Sequence, residues 1–103
     1  MRSLALIGPG PGWTDGRPVF DQDPRILGEH LGHMRQLFDS NVLLFGGPAH
    51  DGQSGIALLD TPSLEQATAL IEDDPAVRAG LFESSFRRLT PSSDSFDGTR
   101  STR

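Results

Sequence analysis

At 103 residues the chain has room for one compact domain and not for two. Fourteen acidic against nine basic residues leave a formal charge of −5, which offers no footprint for nucleic acid or an anionic membrane surface, and an apolar share of 35% with 12 glycines and 8 prolines indicates a globular, turn-rich fold. The basic residues are all Arg, while Lys, Tyr and Cys are absent, which closes Schiff-base, tyrosyl and thiol chemistry together with disulfides and thiolate metal sites and fits a cytoplasmic setting.

Ser3 to Ile7 is a short apolar run that predicts a strand; it is too brief for a membrane span or a signal-peptide core. Gly8-Pro9-Gly10-Pro11-Gly12 ends it. The following loop, Trp13 to Asp21, carries one large aromatic, Trp13, which either covers the edge of the core or stacks on a ligand. Asp23-Pro24 is a helix start, with a capping carboxylate ahead of a proline whose missing N–H costs nothing in the first turn. Leu27, Leu31, Met34 and Phe38, with Ile26 and Leu37, make an apolar stripe roughly 140° wide. His30 lies inside that stripe and His33 on its margin, beside Glu29. Gly28 and Gly32 fall on the opposite side, where each weakens the helix by about 1 kcal/mol relative to Ala and leaves room for a close-packed neighbour.

Asn41 suits a left-handed helix end. Val42 to Phe45 predicts a second strand stopped by Gly46-Gly47-Pro48, then a polar hairpin connection over His50 to Gly55 and a third strand from Ile56 to Leu59, paired antiparallel with the second. Ser63-Leu64-Glu65-Gln66 has capping-box spacing and opens a second helix that ends near Asp73, broken by Asp74-Pro75. Gly80 marks a turn, and Leu81 to Leu89 alternates as a last strand. Residues 1–89 thus form one domain, and residues 90–103, rich in Ser with Pro91 and Gly98, form a disordered tail. The order β-α-β-β-α-β is the ferredoxin-like, split βαβ pattern of the α+β class, with both helices on one face of an antiparallel sheet. The other face needs a cover, most simply a second copy of the chain, which predicts a homodimer.

Among residues able to carry chemistry, His30 stands out because an imidazole at a core boundary has its acid, base or donor role set by its surroundings. Taken alone, such a histidine is more often a hydrogen-bonded core residue. Asp74, at a helix end before proline, either caps a turn or orients an imidazole, and sequence alone leaves both open. His30, His33 and His50 with Glu29 and Asp51 supply metal-binding atoms at spacings that match no metal motif, so no metal is expected. The glycine clusters lack the phosphate-loop forms and read as turns. Asp73 and Asp74 are adjacent and point apart, which argues against a shared-proton dyad.

Taken together, His30-Leu31-x-x-Met34-x-x-Leu37, Val42-Leu43-Leu44-Phe45-Gly46-Gly47-Pro48, Ser63-Leu64-Glu65-Gln66-Ala67 and Asp74-Pro75-x-x-x-x-Gly80-Leu81 resemble the YCII-related domain family over about residues 2–89. The resemblance implies a ferredoxin-like protomer in a dimeric α/β-barrel, with a pocket between sheet and helices near a His–Asp dyad that falls on His30 and Asp74. Two positions depart from the family: Asn41 stands where Gly is frequent, and His33 where an aromatic is common, so that His33 joins or reshapes the pocket. One branch of the family removes chloride from a hydroxylated aromatic ring. The resulting expectation is a small-molecule-binding protein, an enzyme of lyase or isomerase type without cofactor, with His30 as acid/base, Asp74 as its orienter, and Trp13, His33, Gly47 and Pro48 at the substrate. The competing expectation is a non-catalytic binding or regulatory module in which the His–Asp contact only supports the fold.

Overall fold

A computed structural model describes residues 1–90, so the tail expected over residues 90–103 lies, apart from Thr90, outside the described residues. In chain order the elements are β1 (Arg2–Pro9), a single 3-10 turn (Val19–Asp21), α1 (Pro24–Asp39), β2 (Leu43–Pro48), β3 (Gly55–Asp60), α2 (Leu64–Glu72), α3 (Pro75–Arg78) and β4 (Phe82–Arg88). One sheet holds all four strands in the order β2-β3-β1-β4, with every neighbouring pair antiparallel. This is the ferredoxin-like α+β arrangement that the sequence predicts. Leu37 of α1 and Ala67 and Ile71 of α2 bury against Ala5, Ala57 and Leu59 of the sheet in one core, so both helices share a face.

Local chemistry accounts for the boundaries. The Asp23 carboxylate accepts from the amides of Arg25 and Ile26 at 2.9 and 3.3 Å and starts α1 at Pro24. Asn41 has φ 64° and turns the chain out of α1 as expected. The Ser63 hydroxyl accepts from the Gln66 amide at 3.1 Å, while the return bond of a full capping box is absent among the described residues.

Four features differ from the sequence reading. Gly8 and Pro9 do not end the first strand; they continue it, paired with Glu83 and Phe82 of β4. Gly46, Gly47 and Pro48 do not stop the second strand; they continue it, paired with Ala57, Ile56 and Gly55. Because β2 is a sheet edge, a proline without N–H and two glycines are tolerated there. Asp74-Pro75 ends α2 and also starts a further helical turn, α3, since the same Asp-Pro chemistry that opens α1 operates again. The space beside Gly28 and Gly32 is open, with nothing within 4 Å of an added Cβ, so no close-packed neighbour sits there among the described residues.

The remainder of the glycine-proline run, Gly10 to Gly12, is held against the residues that lead into β4. The amides of Gly10 and Gly12 donate to the carbonyls of Leu81 and Gly80 at 2.9 and 2.8 Å. A Cβ on Gly10 would collide with the Gly80 carbonyl oxygen, and Gly80 itself has φ 78°, so glycine is required on both sides of this crossing.

Cross-strand pairs divide the sheet into two faces. Leu4 pairs with Leu58 and Leu6 with Ile56, and a register shift between Leu43 and Phe45 sets Phe45 opposite Leu58. These side chains lie on the face without helices, where Leu6, Ile56 and Phe45 are 36%, 39% and 59% exposed. Among the described residues no helix is long and apolar enough to cross a membrane.

Candidate active site

The helix-covered face of the sheet determines where space remains. Leu43 and Leu59 form a filled row beneath the helices, but the next rows carry Gly46 opposite Ala57 and Gly55 opposite Ile7. Small residues there, under a helix with only one buried side chain, leave a cavity of about 300 Å³ between α1 and the β2–β3 side of the sheet. α1 contributes Leu27, His30, Leu31 and Met34 to its wall, the β2 edge contributes Gly46, Gly47 and Pro48, and Phe82 of β4 closes the inner end. Val19 and Phe20 of the 3-10 turn and Gln53 and Ser54 of the β2–β3 turn complete the lining. Apart from His30, Gln53 and Ser54 the lining side chains are apolar, a composition suited to a small ring-shaped ligand anchored at few polar points.

His30 Nδ1 lies 2.9 Å from both carboxyl oxygens of Asp74. Asp74 is wholly buried, and its Oδ2 also accepts from the amides of Ala76 and Val77 at 3.2 and 3.3 Å. The sequence left two roles open for this residue, cap or orienter, and the geometry joins them: one carboxylate caps α3 and holds the imidazole. A carboxylate only accepts, so Nδ1 carries the proton, and in the neutral ring Nε2 has the free lone pair. Nε2 has no protein partner among the described residues and is not enclosed by protein. The ring edge packs on Phe82, centroids 5.0 Å apart and planes at 89°, which fixes the remaining rotation.

Of the residues expected at the substrate, Gly47 and Pro48 line the cavity. Trp13 does not reach it; its ring packs on Phe82 with centroids 6.2 Å apart, behind the residue that forms the wall, which is the core-edge role. His33 also lies outside the lining, with Nε2 donating to the Leu70 carbonyl at 2.8 Å. Three residues along α1 rotate its side chain by about 60° from His30, enough to aim it at α2 rather than the cavity. Asp73 is exposed and reaches Arg78 at 3.5 Å, so it does point away from Asp74. His50 and Asp51 sit in the β2–β3 turn, and no group of three or more metal-ligating side chains comes together among the described residues.

Sequence reasoning missed Leu31, Met34, Phe82, Gln53 and Ser54 as lining residues. Leu31 and Met34 share the stripe of His30 and were readable from it; Phe82 carries no local signal, because its place depends on β4 pairing with β1. The Gln53–Ser54 turn is shaped by Asp51. Its carboxyl is held below the ordinary value of 3.8 by the amide of Gln53 first, then the hydroxyl and amide of Ser54, which all donate to it.

An α+β domain with a His–Asp pair at an apolar cavity is the class of protein that fold and site define. The profile of the YCII-related domain matches residues 1–86, and the chain belongs to that family. Among solved structures it is similar to the 5-chloro-2-hydroxyhydroquinone dehydrochlorinase from Burkholderia phenoliruptrix in complex with 2,5-dihydroxybenzoquinone, with 19% identity, a TM-score of 0.67, and coverage of 92% of this chain and 99% of that one. At that identity the likeness establishes the fold alone, the ferredoxin-like α+β arrangement. No curated protein matches the sequence.

Proposed function

We propose that the protein is a small-molecule enzyme in which His30 exchanges a proton with a hydroxyl or an acidic C–H of a small cyclic or aromatic substrate, and Asp74 positions the imidazole. The observation that carries this reading is the division of one ring: Nδ1 is held by a buried carboxylate, while Nε2 is left without a protein partner at the wall of an apolar cavity. Asp74 is absent from the lining, so it acts through His30 and does not touch substrate. In the forward step Nε2 takes the proton, and the electron pair left behind moves into the substrate ring or carbonyl. The resulting imidazolium is stabilised by the carboxylate at Nδ1 and returns the proton to another atom of the substrate in an isomerisation, or to the group that the displaced electron pair expels in an elimination. Such lyase or isomerase chemistry needs no organic cofactor. The ligand of the structurally similar dehydrochlorinase, a hydroxylated quinone, supplies a probe of suitable size and chemistry. The working form is a cytoplasmic homodimer, with the uncovered sheet face of one copy packed on that of another.

Thermal unfolding with and without 2,5-dihydroxybenzoquinone tests this reading. At ten times its dissociation constant a ligand stabilises by about 1.4 kcal/mol, which for a domain of this size raises Tm by several degrees. The shift is expected in the wild type and absent in His30→Ala. An equal shift in both proteins, or none with any phenol or quinone tried, refutes the assignment. A second reading, a non-catalytic binding module, draws on the capping of α3 by Asp74, which gives the pair a structural use without chemistry. It predicts binding of the probe with no proton exchange at the ligand.

A further inference from the structure

The two histidines of α1 grip the same corner of the chain at two points. His30 holds Asp74, the α3 cap within the α2–α3 junction, and His33 holds the carbonyl of Leu70 in the last turn of α2 at 2.8 Å. That carbonyl is free for a side chain because its usual partner, the Asp74 amide, is turned to the Ile71 carbonyl at 3.0 Å. The bond from His33 is the one side-chain hydrogen bond between α1 and α2 among the described residues. Between the two grips the corner is stiff: the Asp73 amide donates to the Ala69 carbonyl at 3.0 Å, and Asp74 caps the next turn. Fixing Leu70 against α1 therefore fixes Asp74 against α1 as well.

We infer that His33 is a positioning residue for the His30–Asp74 pair: its Nε2–H, docked on the Leu70 carbonyl, sets where the Asp74 carboxylate meets His30 Nδ1. The two rings must carry their protons on different nitrogens, Nδ1 in His30 and Nε2 in His33, since each faces an acceptor. A misplaced Asp74 meets Nδ1 poorly, the His30 ring then samples the other tautomer and other rotations, and Nε2 loses its fixed aim into the cavity. The consequence for ligand rests on the proposed function above; the consequence for the tautomer does not.

The test compares His33→Phe, which keeps the ring and removes the donor, with His33→Gln, whose amide reaches about as far as Nε2 and restores it. Long-range proton–nitrogen NMR of labelled histidine reads the tautomer of His30, and titration with 2,5-dihydroxybenzoquinone reads the site. The expected result is loss of the pure Nδ1–H signature of His30 in His33→Phe with about fivefold weaker probe binding, and recovery of both in His33→Gln. Retention of the His30 signature in His33→Phe overturns the inference, as does a folded His33→Gln that fails to restore it. Should His33→Phe not fold, His33→Gln against wild type decides: an unchanged signature supports the role of the donor, a lost one overturns it. Failure of the probe to bind wild type counts against the proposed function and leaves the tautomer comparison to judge His33.

Discussion

A single carboxylate with two duties makes Asp74 the residue whose replacement says most. Removing it altogether, as in Asp74→Ala, strips the α3 cap and leaves the His30 Nδ1–H and two amides without their acceptor, a loss of about 2–4 kcal/mol. Asp74→Asn keeps one oxygen, which caps a helix as well as Asp does but must now choose between His30 and the amides of Ala76 and Val77. Its cost to folding is expected to be about 1 kcal/mol, with a larger proportional loss in ligand affinity, measured by chemical denaturation beside a binding titration. Equal stability losses in the two variants would show that capping contributes nothing. Asp74 also marks what single residues disclose in sequence. His30 was legible because an imidazole in an apolar stripe is rare, and Asp74 because Asp-Pro has few uses; that both uses hold at once depends on a contact 44 positions apart in the chain. The direction of His33 was readable as a helical angle, but its acceptor was not, since that carbonyl is released only by the turn of Asp74 toward Ile71.

Elements were legible where chemistry is local. The cap at Asp23, the left-handed Asn41 and the Ser63 start all use groups within three residues of each other, and all stand where the sequence puts them. Asp74-Pro75 ends α2 as the sequence predicts, and what local chemistry does not announce is the added turn α3 and the run of β2 through Gly46-Gly47-Pro48. Whether glycine and proline stop a strand depends on whether that strand lies at a sheet edge, which is a property of the pairing and not of the segment. The β2–β3 turn has a pH response of its own. With the folded Asp51 carboxyl below 3.8, its bonds to Gln53 and Ser54 favour the folded turn fully above that ordinary value and are lost as pH falls through the lower folded one. Carboxyl NMR is expected to give Asp51 a midpoint below 3.8, and Ser54→Ala to move it back upward. An unmoved midpoint in that variant would remove the hydroxyl from the explanation.

For the molecule as a whole, the sheet has one covered and one uncovered face, and the uncovered one is apolar at its centre. Leu6, Phe45 and Ile56 are 36%, 59% and 39% exposed on this face, so pairing with a second copy would remove further apolar surface from water. Light scattering at micromolar concentration is expected to give twice the chain mass, and Ile56→Arg, placed mid-face, to give the monomer with its fold intact by circular dichroism. A wild-type monomer under those conditions refutes the homodimer. The bare face was legible from the element order alone, because a two-layer fold leaves one sheet face uncovered whatever its side chains are.

The shared carboxylate has a consequence in time as well as in space. Each fraying event that lifts the first turn of α3 from its cap must disturb the acceptor of His30, and each loss of that acceptor exposes the amides of Ala76 and Val77 to solvent. Hydrogen exchange at those two amides is therefore a clock for the readiness of the imidazole, and anything that slows one slows the disarming of the other.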